Sequence, residues 1–146
     1  MPDFLLRVAG LFDKRYRDMG DGSHAEVVAA ALERQDSTVT ATIALGAAVS
    51  DAIDMQQYAM GTVHMPAAWD AASIGFKVST TLAGTYLPLY DESGALVQIA
   101  SPAVDQAYTL PARVAACRFV KLWSQNGAGT DVAQTAARSL PLDLKA

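Results

Sequence analysis

The side chains able to do chemistry are few and far apart. Histidine occurs only at positions 24 and 64, and cysteine only at position 117. A catalytic thiol needs a base beside it to ionise. Cys117 instead sits in the apolar run VAACRFV, which predicts a small buried filler. A lone cysteine forms no intrachain disulfide and no cysteine-based zinc site. His64 falls in a strand-like pattern on the face of Met60 and Thr62, with no carboxylate or second histidine next to it in sequence. His24 follows a Gly-rich stretch and reads as a polar residue beside a turn. Two distant histidines do not by themselves build a strong transition-metal site.

The carboxylates and glycines are no more decisive. Ser, His and Asp all occur, so counting alone leaves a triad open, but no GxSxG elbow is present. Gly20-Asp21-Gly22 resembles a phosphate loop only superficially, because no Lys-Ser/Thr pair follows it; a tight turn accounts for it better. Asp91 and Glu92 are adjacent, which directs them apart and makes a poor acid/base pair for glycoside hydrolysis. Asp51 and Asp54 lack the spacing of an EF-hand calcium loop. Trp69, Trp123, Tyr86 and Tyr90 are candidates for a sugar-binding platform, although aromatics in a small sandwich ordinarily fill its core. No catalytic constellation emerges, and no cofactor or metal is expected.

The elements that would position these residues read as β. Ser37 to Leu45 alternates, with Val39, Ala41, Ile43 and Leu45 on one face and Thr38, Thr40, Thr42 and Ala44 on the other. Such period-two alternation marks a half-buried strand. Further strands are expected over 58–65, 73–79, 86–90, 96–100 and 108–110. Asp91-Glu92-Ser93-Gly94 should form a hairpin turn. The run from Arg113 to Ser124 is predicted as one strand buried on both faces, residues 126–137 as a loop, and 139–145 as a closing strand. Pro141 suits an edge position for that last strand. Seven or eight short strands with turns between them predict an all-β sandwich or jelly roll.

Charge divides the chain. Residues 1–36 carry Arg7, Lys14, Arg15, Arg17 and Arg34 against Asp3, Asp13, Asp18, Asp21, Glu26, Glu33 and Asp36, while the longer remainder is charge-poor. We therefore expect an N-terminal arm or hairpin over 1–36 and a sandwich body over 37–146. In the arm, 12–19 and 24–31 flank Gly20-Asp21-Gly22-Ser23 as a polar hairpin would. The alternative is a helix over 25–34 capped by Ser23.

The bulk composition excludes several classes. Of 146 residues, 51% are hydrophobic and 18% charged, which is not the composition of a disordered segment. The net charge of −4 leaves no basic surface for phosphates, so nucleic acid is not an expected partner. No apolar run reaches the length of a membrane-spanning helix, and the first residues lack the order of a signal peptide, so neither a membrane partner nor export by the usual route is expected.

The pattern P-x-x-W-x-x-A-x-[IL]-x-F-x-x-S is met by Pro66, Trp69, Ala72, Ile74, Phe76 and Ser79; on it, the chain from about Leu45 to Ala146 resembles small structural proteins of tailed bacteriophages whose body is a galactose-binding-like jelly roll. The pattern is followed by Tyr86-x-Pro-Leu-Tyr90-Asp-Glu-Ser-Gly94, Tyr108-x-Leu-Pro111, Phe119-Val-Lys-Leu122-x-Ser124 and Ala136-Ala-Arg138-x-Leu140-x-Leu142. Arg15 to Ala25 (RYRDMGDGSHA) is similar to a turn segment of phage virion proteins. The resemblance implies a head decoration, or cement, protein on the capsid exterior, assembled in the bacterial host cytoplasm. Its partners would be the major capsid protein and neighbouring copies of itself. A neck or tail connector, or a carbohydrate-binding module on the head or tail, is the alternative. Arg15, Tyr16, Arg17 and Asp18 are the candidate contacts with the capsid or a neighbour.

Overall fold

A computed structural model describes residues 35–146 throughout, and residues 4–8, 12–18 and 24–27 as backbone strands. The chain divides into two units, Met1–Glu33 and Arg34–Ala146. In the first, β1 (Phe4–Val8), β2 (Phe12–Asp18) and β3 (His24–Val27) form an antiparallel sheet in the order β1-β2-β3. The register of β2 on β3 runs from Arg15 opposite Val27 to Asp18 opposite His24. Strand pairing therefore holds residues 24–27. The expected turn at 20–23 and the rest of the alternative helix, 28–34, lie outside the described residues.

The second unit holds nine strands: β4 (Asp36–Ile43), β5 (Ile53–Asp54), β6 (Met60–His64), β7 (Ser73–Ser79), β8 (Leu87–Pro88), β9 (Gln98–Ile99), β10 (Ala107–Thr109), β11 (Phe119–Gln125) and β12 (Arg138–Lys145). One antiparallel sheet has the order β10-β6-β12-β4; the other has the order β5-β11-β7-β8, with β9 also on β7. The two make a β-sandwich. Its core takes Ala41, Ile43, Val63, Leu140, Leu142 and Leu144 from the first sheet and Ile53, Ile74, Phe76, Ile99, Val120 and Leu122 from the second. Alternation produces this directly, since every second residue of each strand faces the partner sheet.

Four expectations are corrected. Arg113–Ser124 is not one strand: a 3-10 helix occupies Ala112–Ala116, and β11 begins at Phe119. Pro111, with φ −55°, sets the first turn, in which Val114 N–H donates to its carbonyl at 2.9 Å. Only Val114 of that helix is buried. β12 is central rather than at an edge, pairing β4 over Arg138–Lys145 and β6 over Leu142–Lys145. Pro141 is tolerated because it precedes Leu142, where the second ladder starts, so its missing N–H falls where only one side of the strand is paired. β4 stops at Ile43, leaving Leu45 70% exposed, because Gly46 (φ +76°) turns the chain and Ala47 N–H bonds Ala44 C=O. Cys117 is half-buried at the end of the 3-10 helix and packs against the core instead of filling it.

The hairpin at 91–94 forms as read. Asp91 Oδ1 accepts from the backbone N–H of Ser93 and of Ala95, both at 2.9 Å, and Gly94 takes φ +80°. The two-residue strand β5 had no pattern long enough to announce it.

Candidate functional site

The outer face of the first sheet gathers the polar side chains that the sequence scatters. The register sets Thr109 of β10 opposite Thr62 of β6, Thr62 opposite Asp143 of β12, and Asp143 opposite Thr38 of β4. Asp143 Oδ1 accepts from Thr38 Oγ1 at 2.9 Å, and Asp143 Oδ2 lies 3.1 Å from His64 Nε2. The Thr38 hydroxyl, and after it the His64 ring, hold the Asp143 carboxyl below its usual range. Two residues further along β12, Lys145 Nζ pairs with Asp36, which faces it on β4, at 2.8 Å. A shallow hollow of 230 Å³ lies here, lined by Met60, Gly61, Thr62, Thr109, Leu110, Asp143 and Lys145.

This cluster has the parts of an acid–base dyad but not its layout. In a relay, the acid and the nucleophile occupy different ring nitrogens of the histidine. Here Asp143 Oδ2 and Thr62 Oγ1, the latter at 3.5 Å, both approach Nε2. The arrangement suits a polar contact face: donors and acceptors fixed in a row on rigid strands.

Elsewhere the singled-out residues are engaged in holding the fold. Glu92 forms a two-point pair with Arg113 (2.9 and 2.6 Å) that takes its carboxyl down to about 2. Asp91 is consumed by its turn, where hydrogen bonds from Ser93 and Ala95 lower its pKa. Asp51 Oδ1 accepts from Thr42 N–H at 2.6 Å. Asp54 pairs with Arg118, whose hydrogen bond lowers the Asp54 pKa. These four carboxylates thus face different partners and do not converge on a cation. The Cys117 thiol contacts Arg113 C=O at 4.0 Å, and burial pushes its pKa up, away from the nucleophilic thiolate.

The candidate aromatic platform is not assembled. Trp123 is buried, donates through Nε1 to Asp131 at 2.6 Å, and lies under the Lys77 ammonium at 4.4 Å. Trp69 is half-buried and ties its loop by donating to Ala72 C=O. Tyr86 donates to Leu82 C=O and carries the Lys121 ammonium over its ring at 4.6 Å. Of the four, only Tyr90 is exposed, at 54%. The candidate contact residues Arg15, Tyr16, Arg17 and Asp18 lie on β2, the central strand of the N-terminal sheet. His24 lies opposite Asp18 in that sheet.

Sequence reasoning placed His64 on its strand but missed Asp143, 79 positions away. The usable signal was the alternation Leu140-x-Leu142-x-Leu144, which turns Asp143 outward; strand order alone brings it beside His64.

No protein-family model matches the chain, and no curated protein matches it. Among solved structures, the crystal structure of the SPBc2 prophage-derived protein YomS is similar, with a TM-score of 0.51 at 12% identity over 78% of this chain and 96% of that one. At that identity the likeness is one of fold: an all-β sandwich.

Proposed function

We propose that this chain is a non-enzymatic structural component of a tailed-phage virion, of the head decoration or cement type, that binds and stabilises the shell of the major capsid protein. The observation carrying the reading is the sandwich fold shared with a prophage-derived protein. The engagement of the candidate catalytic side chains in turns and ion pairs fits it. In this reading the body is a jelly roll of the galactose-binding-like kind and sits on the capsid exterior. The charge-rich arm within residues 1–36 reaches the capsid protein or an adjacent copy, with Arg15, Tyr16, Arg17 and Asp18 in the contact. A cement protein needs repeated, rigid attachment and no chemistry, and a three-stranded sheet offers edges for strand addition.

The test is occupancy on purified capsid shells. The full chain should bind in hundreds of copies per particle, and removal of residues 1–33 should abolish attachment while the body keeps its unfolding transition. That cut leaves Asp36 in place to pair with Lys145. Undiminished occupancy of the truncated chain overturns the role of the arm. Recovery in only a few copies, at one vertex or on tails, replaces decoration with a connector role.

A further inference from the structure

The sheet edges of the body are unequally protected. At the ends of the two sheets, β5 and β8 have two residues each, β8 includes Pro88, and β10 has three residues. Short edges and proline are the usual defences against unwanted pairing. β4 is also an edge, yet it has eight residues and neither proline, lysine nor bulge.

Hydrogen bonds fix which backbone groups of β4 face outward. Thr42 N–H donates to the Asp51 carboxylate, and Thr42 C=O accepts from Asp51 N–H at 3.1 Å, both on the side away from β12. Gln35 C=O, on the opposite phase, accepts from Ala146 N–H, continuing the β12 side. Backbone polarity alternates along a strand, so Thr38 and Thr40 present N–H and C=O outward with Thr42. Those four groups have no backbone partner among the described residues. Asp51 closes the edge at Thr42, so an incoming strand has room only beside the stretch that precedes it.

We propose that this edge pairs with the same edge of a second copy, antiparallel across a two-fold axis at Val39, so that two four-stranded sheets become one of eight. The occupant follows from self-complementarity. An axis at Val39 sets Thr38 opposite Thr40 of the second copy, and Ser37 opposite its Ala41. Each copy's two free N–H groups then meet the other's two free C=O groups in four bonds, with none left over. No ionisable side chain lies between Ser37 and Ala41, and Thr–Thr neighbours are favourable cross-strand pairs; Asp36, which the same register sets opposite Thr42 of the second copy, is neutralised by Lys145. The inference deepens the oligomeric part of the proposed function, but its test needs no capsid, so either can fail without the other.

The experiment is sedimentation of the full chain from about 1 to 100 µM, a range that brackets micromolar association. A dimer is expected. Thr40→Pro removes an N–H that β12 does not use, so the fold should survive while dimerisation weakens at least 100-fold. The double variant Thr38→Lys/Thr40→Lys should do the same and stands in if the proline variant does not fold. Val39→Cys, in a Cys117→Ser background, should cross-link two copies under mild oxidation. Residues facing each other in a non-hydrogen-bonded pair lie about 4.5 Å apart at Cα, within disulfide reach. A monomer across the range overturns the proposal. So does a dimer that withstands the edge variants and gives no Val39 cross-link.

Discussion

Gln134 donates through Nε2 to Ser124 Oγ at 2.9 Å, and both residues are fully shielded from water. The Gln134 Oε1 accepts from Asp70 N–H and from Arg138 Nε, each at 3.1 Å. Its backbone bonds Gly46 and Ala47. One side chain thus ties β11, the loop carrying Trp69 and the start of β12. Every buried side-chain polar atom among the described residues has a partner, and this amide satisfies several of them.

Gln134→Leu should therefore cost more than its size change implies. The Ser124 hydroxyl and the Asp70 N–H lose their partners in the interior, a penalty of about 1–3 kcal/mol. The unfolding midpoint should fall by several degrees in a thermal melt. A midpoint within one degree of the parent protein would show that water replaces the amide at no cost.

Gly75 lies across from Trp123 on the neighbouring strand, and a Cβ placed there would meet Trp123 Cε3 at 2.8 Å. The indole has little freedom to yield, held by Asp131 at one edge and approached by Gly129 on another side. Gly75→Ala should destabilise by about 1–3 kcal/mol through overpacking, read by denaturant unfolding with unchanged m-value. The near-ultraviolet dichroism of Trp123 should change with it.

Glu92 and Arg113 give a pH signature. The folded carboxyl titrates at about 2 against an ordinary value of 4.5, chiefly through the Arg113 hydrogen bond. A depressed carboxylate pKa adds stability above the ordinary value and loses it as pH falls through the folded one. The midpoint difference between the parent protein and Glu92→Gln should be constant above about pH 5, shrink as pH falls, and vanish only below about pH 2. Because the pair is well exposed, the difference should also shrink in molar salt.

The strands legible in sequence were those with clean alternation. β7 is legible to its ends, from Ser73 to Ser79, because Ile74, Phe76 and Val78 recur at period two. The Asp91–Gly94 turn was legible for the same local reason. Residues 112–118 were not, because an alanine-rich apolar run satisfies a strand and a 3-10 turn equally, and Pro111 decides between them only through the backbone it sets. The His64–Asp143 contact was beyond reach for a different reason. It depends on β12 entering between β4 and β6, and strand order is set by the collective packing of two faces rather than by any local pattern.

That insertion has a consequence for how the molecule comes into being. β12 is the latest strand of its sheet in sequence, yet it joins β4 to β6 and supplies Leu140, Leu142 and Leu144 to the core. During synthesis, β4 and β6 leave the ribosome with nothing between them, and their facing edges stay open until Lys145 has emerged. A chain stalled before Arg138 has emerged holds two unsatisfied edges and an uncovered apolar face, the form most prone to aggregate.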